Sequence, residues 1–352
     1  MRLILLCETT FLYFRMRVLY LGNNYGILTL ICSLKTVGEM IMADLDLMRE
    51  HLQRRAELHA RLRLLPYEGT PEIKEISGKK YLYTRKRIGG RMTSAYVGKY
   101  SEELHQLLLR NTAEAREIRK ELRKVEKKLA ELGYQESALS PRVLQNLDFA
   151  RAHMKSNIYD QVVLEGVATS FPQTEEILEN GKVSGMSATD VQKILNLKHA
   201  WEFVLDPDII QADSNYYMLC HIAKLVNEGF YHDGGRIRGV PVTIGGSSYV
   251  PPIPIEAVVK EQIDRILDSG ENEIDTAISL CLYSMKTQIF LDGNKRAAVI
   301  YANHYLIAHG NGFLVIPETH VPEFKKMLVD YYEGQNDAFI RSFLRENCWH
   351  SF

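Results

Sequence analysis

The chain has 352 residues, of which 46% are hydrophobic and 25% are charged, and this is the composition of a globular protein long enough for two hydrophobic cores. Its formal net charge of −1 indicates no partner by itself. The five cysteines are widely scattered and form no C-x-x-C pair, which argues against a structural metal site or a disulfide framework and favours a reducing cytoplasm.

Residues 1–41 are apolar, but their pattern does not predict a membrane span. Arg15 and Arg17 interrupt the apolar run well short of the ~20 residues that a span needs, and no signal-peptide cleavage pattern follows. We expect translation to start at Met42, with the purine-rich codons of Gly38 and Glu39 overlying a ribosome-binding site. The alternative is a genuine membrane-proximal or edge-strand extension, and N-terminal sequencing of protein expressed from the native gene distinguishes the two.

Residues 42–137 are predicted to form a basic domain. Over 49–133 the sequence has 21 lysines and arginines against 12 acidic residues. Apolar residues recur at three- and four-residue steps over Leu45–Leu65 and again over Leu104–Leu132, which predicts two long helices. The helices are expected to pair as an antiparallel hairpin, with His59 as a packing residue on their seam.

A β-hairpin is predicted between these two helices. Polar and apolar residues alternate over Lys79–Arg87 and Arg91–Val97, on either side of the turn residues Gly89 and Gly90. Seven cations and three tyrosines crowd the span Lys79–Lys99. Such a surface suits nucleic acid, because cations contact phosphates and tyrosines stack on bases. The alternative is a solvated hairpin whose lysines protect its own edge from pairing.

A short linker over 133–141 is predicted to lead into a second domain. Beyond it, Pro141–His153 has the pattern of an amphipathic helix, and Asp190–Val204 and Ala212–Glu228 have the patterns of two more. The segment Gly234–Pro252 contains too many glycines and β-branched residues for a helix, and it predicts a short hairpin.

Two apolar helices are predicted on either side of the stretch Lys286–Ala298. The first follows a capping residue at Asn272 and repeats apolar side chains at helical spacing. The second, Ala297–Ala308, is nearly all apolar and stops at Gly310.

The turn between these helices is predicted to hold phosphate. Asp292, Gly293 and Asn294 reverse the chain, so the free N–H groups at the start of the second helix point into the turn and favour an anion. Lys295 and Arg296 add positive charge there. The carboxylate of Asp292 is placed to hold Mg²⁺ beside the phosphates.

This stretch resembles the signature of the Fic/Doc (Fido) family, which runs H-x-F-x-D/E-G-N-G/K-R and often continues to a second arginine. Gln288 stands where the family has its histidine, and Val299 where many members have the second arginine. The other fixed positions match, and they are Phe290, Asp292, Gly293, Asn294, Lys295 and Arg296.

The resemblance implies an all-α fold for residues 138–352, a Fic/Doc-type helical bundle with a small β-hairpin flap. The usual reaction of the family transfers AMP from ATP, with Mg²⁺, to a Ser, Thr or Tyr hydroxyl of a target protein. Doc-type members are toxins that transfer a phosphate instead, so an antitoxin or self-association is a further partner class. The implied roles are catalysis at Gln288, metal binding at Asp292, and nucleotide binding at Phe290, Gly293, Asn294, Lys295 and Arg296.

Ser156–Gly166 resembles the inhibitory helix of a Fic subgroup, S/T-x-x-x-E-G/N. Glu165 is in place, and Gln161 stands where serine or threonine is expected. In the family this glutamate pairs with the second arginine and blocks the γ-phosphate position. Because Val299 removes that partner, we expect Glu165 to turn to solvent.

The segment 234–252 resembles the Fic flap, G-x-I/L/Y-R followed by a strand and two prolines. The resemblance implies that Arg238, Val242 and Ile244 belong to an element that clamps the target segment by strand addition.

Gln288 leaves two functions open. The family histidine takes the proton of the attacking hydroxyl, whereas an amide cannot, and loss of a general base removes on the order of 10²–10⁴ in rate. The first function is an ATP-binding AMP transferase, or Doc-like kinase, with weakened chemistry. The second is a catalytically silent nucleotide-binding regulatory module that associates with DNA through Lys79–Lys99.

Overall fold

The structure is a computed structural model, and it describes residues 46–67, 69–88, 91–134, 139–180 and 185–351. The expected start at Met42 lies outside these residues, as do the turn at Gly89 and Gly90 and residues 135–138 of the predicted linker. The chain divides into two compact units, and Met48–Phe352 forms one of them. Within the described residues, no helix is long and apolar enough to cross a membrane.

The basic domain contains two long helices and a three-stranded antiparallel sheet, so the predicted helices and hairpin are confirmed. Helix α1 covers 46–64 and α2 covers Glu102–Glu131. The sheet has the order β1-β2-β3, with β1 at Thr70–Ile76, β2 at Lys79–Ile88 and β3 at Arg91–Lys99.

The pattern of hydrophobic residues does not predict strand β1. Its isoleucines, Ile73 and Ile76, do not follow the period of two that identifies a strand, and Pro71 lies near its start. As an edge strand it tolerates proline. It pairs with β2 in a register that runs from Arg85 opposite its first residue to Lys79 opposite its last.

Helices α1 and α2 share a small apolar core, as the three- and four-residue spacing predicts. Ser101 begins α2 by accepting a hydrogen bond from the backbone of Leu104. His59 is half-buried, as expected, and its Nδ1 lies 3.6 Å from the Asp206 carboxylate of the second domain. The buried residues of this core are Leu58, Ile118, Leu122, Val125 and Leu129.

The second domain is a helical bundle, which confirms the all-α prediction. A two-stranded sheet pairs β4 (Phe313–Leu314) with β5 (Trp349–His350). Helix α3 joins into one element the two runs that the sequence suggests separately. The helices are α3 (Pro141–Leu164), α4 (Phe171–Asn180), α5 (Ala188–Val204), α6 (Tyr216–Val226), α7 (Glu256–Leu267), α8 (Glu273–Thr287), α9 (Asn294–Ala308), α10 (Val321–Tyr332) and α11 (Ala338–Asn347).

Helix α9 forms the centre of this bundle. It is buried on every side from Arg296 to Ile307, and it contacts α3, α5, α6 and α8. A helix that is apolar all round needs such an environment. Because α9 is held by four neighbours, the position of its first turn is fixed by the fold.

Helix α1 ties the basic domain to the bundle. Ala56 is fully buried within the apolar core of the second domain. Arg55 and Tyr134 both bind the carboxylate of Asp208. The two predicted domains therefore share contacts along α1.

The hairpin predicted over 234–252 does not form strands. Residues 237–239 and 241–244 have no regular structure, and a turn follows at 245–246. The guanidinium of Arg238 donates hydrogen bonds to the carbonyls of Val240, Pro251 and Pro252. These carbonyls are therefore satisfied by a side chain and not by the N–H groups of a neighbouring strand. The prolines also lack the N–H that a strand ladder needs.

Candidate functional site

The turn between α8 and α9 forms the candidate site. Helix α8 ends at Gln288, which adopts a left-handed conformation with φ of 48°. Gly293, with φ of 73°, precedes α9. A Cβ atom at Gly293 would lie 2.7 Å from the side-chain oxygen of Asn227, so only glycine fits there without displacing its neighbour.

The side chain of Asn294 closes the turn on itself. Its Oδ1 accepts a hydrogen bond of 2.9 Å from the backbone N–H of Phe290, and its Nδ2 donates to the Phe290 carbonyl at 2.8 Å. The same Nδ2 lies 3.2 Å from Oε1 of Gln288. Phe290 is almost fully buried and fixes the turn to the core. The predicted residues Phe290 and Asn294 therefore shape the turn from within.

Gln288 is held inside the same network. Its Nε2 donates a hydrogen bond of 2.7 Å to the carbonyl of Met285, and its Oε1 accepts from Asn294. Both polar ends of the amide are thus engaged by the protein. The amide does not titrate in water's range, so this residue cannot serve as a general base.

The first turn of α9 presents amides and cations together. Ala297 is the first residue whose N–H donates within the helix, to the Gly293 carbonyl at 2.8 Å. The N–H groups of Asn294, Lys295 and Arg296 precede that first bond and carry the positive end of the helix dipole. The side chain of Lys295 is 33% exposed, so it can reach a ligand in solvent.

Arg296 differs from Lys295, because its side chain is only 1% exposed. Its Nη1 donates to the carbonyl of Val226 at 2.8 Å, and its Nη2 donates to Oδ2 of Asp292 at 3.0 Å. The guanidinium therefore links the end of α6 to the turn, and its positive charge lies beneath the turn.

Glu165 lies against both cations, and the expectation that it turns to solvent is wrong. Its carboxylate is 3.6 Å from Nζ of Lys295 and 3.4 Å from Nε of Arg296, and its side chain is only 12% exposed. Although Val299 offers Glu165 no charge, Lys295 and Arg296 pair with the carboxylate and keep it inside the protein. A buried carboxylate needs such partners.

The pairing of Glu165 leaves two buried atoms without hydrogen bonds. Oε1 of Glu165 and Nε of Arg296 have no hydrogen-bond partner among the described residues. A guanidinium N–H that is paired with a carboxylate but makes no hydrogen bond to it, beside a helix N-terminus, also suits an anion with several acceptor oxygens, such as a phosphate. The chemistry of the turn therefore fits a nucleotide phosphate.

Gln161 and Trp201 hold the end of α3 against α9. The indole of Trp201 donates a 2.7 Å hydrogen bond to Oε1 of Gln161, and Nε2 of Gln161 lies 3.3 Å from the carbonyl of Arg296. Trp201 is fully buried. Gln161 thus positions the helix that carries Glu165, a role that sequence spacing does not reveal.

Asn227, at the end of α6, supports the turn from below, and the sequence gives no signal for it. Its Nδ2 donates to the carbonyl of Asp292 at 3.0 Å and to that of Gly234 at 3.1 Å. Its Oδ1 is buried without a hydrogen-bond partner in the described chain. This residue links the turn to the segment that resembles a flap.

Arg238 anchors that segment and faces the protein. It is 2% exposed, and its backbone N–H donates to the carbonyl of Ile289 at 3.0 Å. Its side chain also binds the Gln288 carbonyl. Burial lowers the pKa of the guanidinium below its ordinary value. Val242 is half-buried and Ile244 packs on the core, so the predicted clamping residues form the base of the segment.

Asp292 is the residue that fits a metal role. Its carboxylate is 46% exposed, and only Oδ2 is bound to Arg296. Mg²⁺ in nucleotide sites uses one or two carboxylates together with phosphate oxygens and water. No group of three acidic, histidine or cysteine side chains suits a metal within the described residues, so the phosphates would have to complete the metal's coordination.

The buried histidine of α9 does not replace the missing base. His304 is fully buried, with Nε2 at 2.8 Å from the Ile209 carbonyl and Nδ1 at 2.7 Å from Oγ of Ser214. Burial lowers the pKa of His304 to about 4. A cavity of about 760 Å³ lined by Ser214, Tyr305 and His309 includes no residue of the turn.

Comparison with protein families finds a match in the basic domain. The domain of unknown function DUF6788 matches residues 45–106, which include β1, β2 and β3. A search of curated proteins finds no match.

Comparison with solved structures finds Fic domain proteins. Fic-1 (residues 134–508) from C. elegans is 20% identical, with 69% of this chain and 79% of that chain covered and a TM-score of 0.44. A Fic domain-containing signalling protein from Bacteroides thetaiotaomicron is 17% identical, with coverages of 59% and 85% and a TM-score of 0.46. A Fic family protein from Desulfovibrio desulfuricans is 16% identical, with coverages of 60% and 76% and a TM-score of 0.45. The chain is thus similar to solved Fic domain structures.

Proposed function

We propose that this chain binds ATP with Mg²⁺ at the α8–α9 turn and is a Fic-type protein AMP transferase whose chemistry is weakened by Gln288. One observation carries the proposal. The carboxylate of Glu165 is already held by Lys295 and Arg296 at the N-terminus of α9. The turn therefore binds an anion supplied by the protein itself, and a phosphate can take the same position.

Each residue of the turn has a role in this proposal. The amides of the first turn of α9 and the exposed Lys295 bind phosphate oxygens. Asp292 holds the metal, and Asn294 keeps the turn in shape through its contacts with Phe290. Arg296 places positive charge beneath the phosphates and fastens α6 to the turn.

The transfer joins the acceptor oxygen of a protein hydroxyl to the α-phosphorus, breaks the bond from that phosphorus to pyrophosphate, and releases the hydroxyl proton to water. No titratable side chain stands at 288 to take that proton. The turn can still position the nucleotide and stabilise the charge of the transition state. We therefore expect a rate about 10²–10⁴ below that of an enzyme with a base at this position.

A catalytically silent nucleotide-binding module is the second candidate, and one observation favours it. Both polar atoms of the Gln288 amide are engaged, by Met285 and Asn294, so the side chain is not directed at a substrate. The Doc-like alternative would transfer the γ-phosphate of the same nucleotide instead.

Incubation of the purified protein with Mg²⁺ and labelled ATP in a cell lysate tests the proposal. Transfer of an α-phosphate label to protein supports AMP transfer, whereas transfer of a γ-phosphate label supports the Doc-like reaction. Binding of ATP with neither transfer supports the silent module. The Asp292→Asn variant is the background control, because it keeps the size of the side chain and removes the charge that the metal needs.

A further inference from the structure

The sheet of the basic domain has two unlike faces. Leu82 and Thr84 are almost fully buried on one face, and a Cβ atom at Gly98 on that side would lie 3.2 Å from Leu104 of α2. Successive side chains of a strand alternate between faces, so Tyr81 and Tyr83 lie on the opposite one. The side pointing away from α2 therefore carries the aromatic residues of β2.

The strand register places three tyrosines together on this outer side. Tyr83 lies opposite Tyr96 of β3, and their ring centroids are 5.5 Å apart in an edge-to-face arrangement. The ring of Tyr81 lies 6.2 Å from that of Tyr96. Tyr96 is 57% exposed. We call the side of the sheet that carries these residues the tyrosine face.

Cations surround the three rings. Nζ of Lys74 lies 4.4 Å above the ring of Tyr83. Glu72 is the one carboxylate on this face within the described residues, and it lies 3.5 Å from Lys74 and 3.8 Å from Arg85. By strand register the cations on the face are Lys74, Lys79, Arg85, Arg87 and Lys99.

We infer that the tyrosine face binds single-stranded nucleic acid, a function separate from the proposed ATP site. Tyrosine rings offer surfaces on which unpaired bases stack, and the surrounding cations match the phosphates of the strand. A duplex hides the faces of its bases, so it would meet the cations alone. An acidic protein would likewise use the cations without needing the exposed ring of Tyr96.

Fluorescence anisotropy with labelled strands of about 15 nucleotides and the full chain tests the inference, since this length covers an ordinary single-strand site. We expect single strands to bind more tightly than a duplex of equal length, and the affinity to fall steeply between about 50 mM and 200 mM salt. Oligo-dT and oligo-U arms separate DNA from RNA. A tighter oligo-U complex assigns the face to RNA, a tighter oligo-dT complex assigns it to DNA, and equal affinities assign it to bases and phosphates irrespective of sugar.

Tyr96→Leu removes the aromatic surface and keeps an apolar side chain, so we expect it to weaken binding about 5- to 100-fold. Tyr96→Phe retains the stacking surface and should bind as the parent does. Tyr217→Leu is the matched control, because Tyr217 is an equally exposed tyrosine, 61% accessible, on α6. Lys99→Gln should lower the salt slope by about 1, the contribution of one phosphate contact.

Three outcomes would overturn the inference. The first is no binding of either single strand at the lowest salt. The second is that Tyr96→Leu binds like the Tyr217→Leu control. The third is that heparin, a polyanion without bases, displaces the strand as well as unlabelled oligonucleotide does. Unchanged ATP binding by Tyr96→Leu is expected in every case, because the ATP site shares no residue with the tyrosine face.

Discussion

The α8–α9 turn and the tyrosine face both concentrate positive charge, but they hold it in opposite ways. In the turn, Arg296 is buried and bound to a carbonyl and a carboxylate, and Glu165 covers it. On the sheet, the side chain of Arg85 is 49% exposed and its carboxylate neighbour Glu72 lies at 3.8 Å. The turn is built by tertiary contacts between distant segments, whereas the face is built by local strand register. Changes in the turn should therefore alter stability and chemistry, and changes on the face should alter binding alone.

The largest effect is expected from restoring the base in the turn. Gln288→His supplies an imidazole at the one fixed signature position that is altered, and we expect AMP transfer to rise by up to about 10²–10⁴. The left-handed backbone at 288 is compatible with histidine, which visits this region more often than most residues. Transfer of α-labelled AMP to protein measures the effect. A silent Gln288→His protein combined with an active Gln288→His, Val299→Arg protein would show that the missing arginine was the main defect.

Arg238→Met tests the claim that a buried guanidinium bound to the turn supports the fold. The change leaves the carbonyls of Val240, Pro252 and Gln288 without their donor, so we expect the free energy of unfolding to fall by about 3 kcal/mol. Arg85→Met on the sheet is the matched control and should change it by less than about 0.5 kcal/mol. Urea denaturation measures both. Equal losses of unfolding free energy in the two variants would show that the buried arginine supports the fold no more than the exposed one does.

Glu165→Gln tests whether the carboxylate competes with a nucleotide phosphate. Removing the charge that faces Lys295 and Arg296 should tighten ATP binding about tenfold, the effect of about 1.4 kcal/mol. Glu261→Gln, at a side chain that is 61% exposed on α7, is the control and should leave the affinity unchanged. Calorimetric titration with Mg²⁺ and ATP measures this. Equal affinities of both variants would mean that Glu165 does not occupy the phosphate position.

The smallest effect concerns the attachment of α1 to the bundle. Burial alone would raise the pKa of Glu57, but His221 and Arg54 outweigh it and hold the pKa at about 2. A carboxylate with a lowered pKa stabilises the fold above its ordinary pKa, and this contribution disappears as the pH falls towards 2.

Glu57→Gln should therefore reduce the free energy of unfolding by about 1 kcal/mol at neutral pH, allowing for partial exposure of the site. The difference from the parent should shrink as the pH falls below about 4.5. Urea denaturation at pH 7 and pH 3 measures it. A difference that stays constant over this range would contradict the role of the ionised carboxylate.

Local features of the fold were accessible from the sequence, and long-range contacts were not. Asn272 caps α8 by accepting from the Asp275 backbone at 3.1 Å, as predicted. The contact between Asn227 and Asp292, however, joins residues 65 positions apart. No periodicity encodes such a pair. The same limit explains why the pairing of Glu165 was predicted wrongly, since it depends on where α3 ends relative to α9.

The flap segment shows how one side chain can override a local pattern. Its glycines and β-branched residues favour a hairpin. The Arg238 side chain instead donates hydrogen bonds to the carbonyls of Val240, Pro251 and Pro252, and the strands do not form. The fold class was predictable because helical periodicity is repeated over many residues, whereas this detail depends on one buried guanidinium.

Calorimetric titration of ATP into the parent and into Asp292→Asn, with and without Mg²⁺, tests whether the α8–α9 turn is the nucleotide site. We expect Mg²⁺-dependent binding by the parent, and binding weakened about 10-fold or more in Asp292→Asn, because a charged ligand of the metal is lost. Asp337→Asn, which changes a similarly exposed carboxylate at the start of α11, should bind like the parent. Equal, Mg²⁺-independent affinities for all three proteins would contradict the assignment of the α8–α9 turn as the nucleotide site.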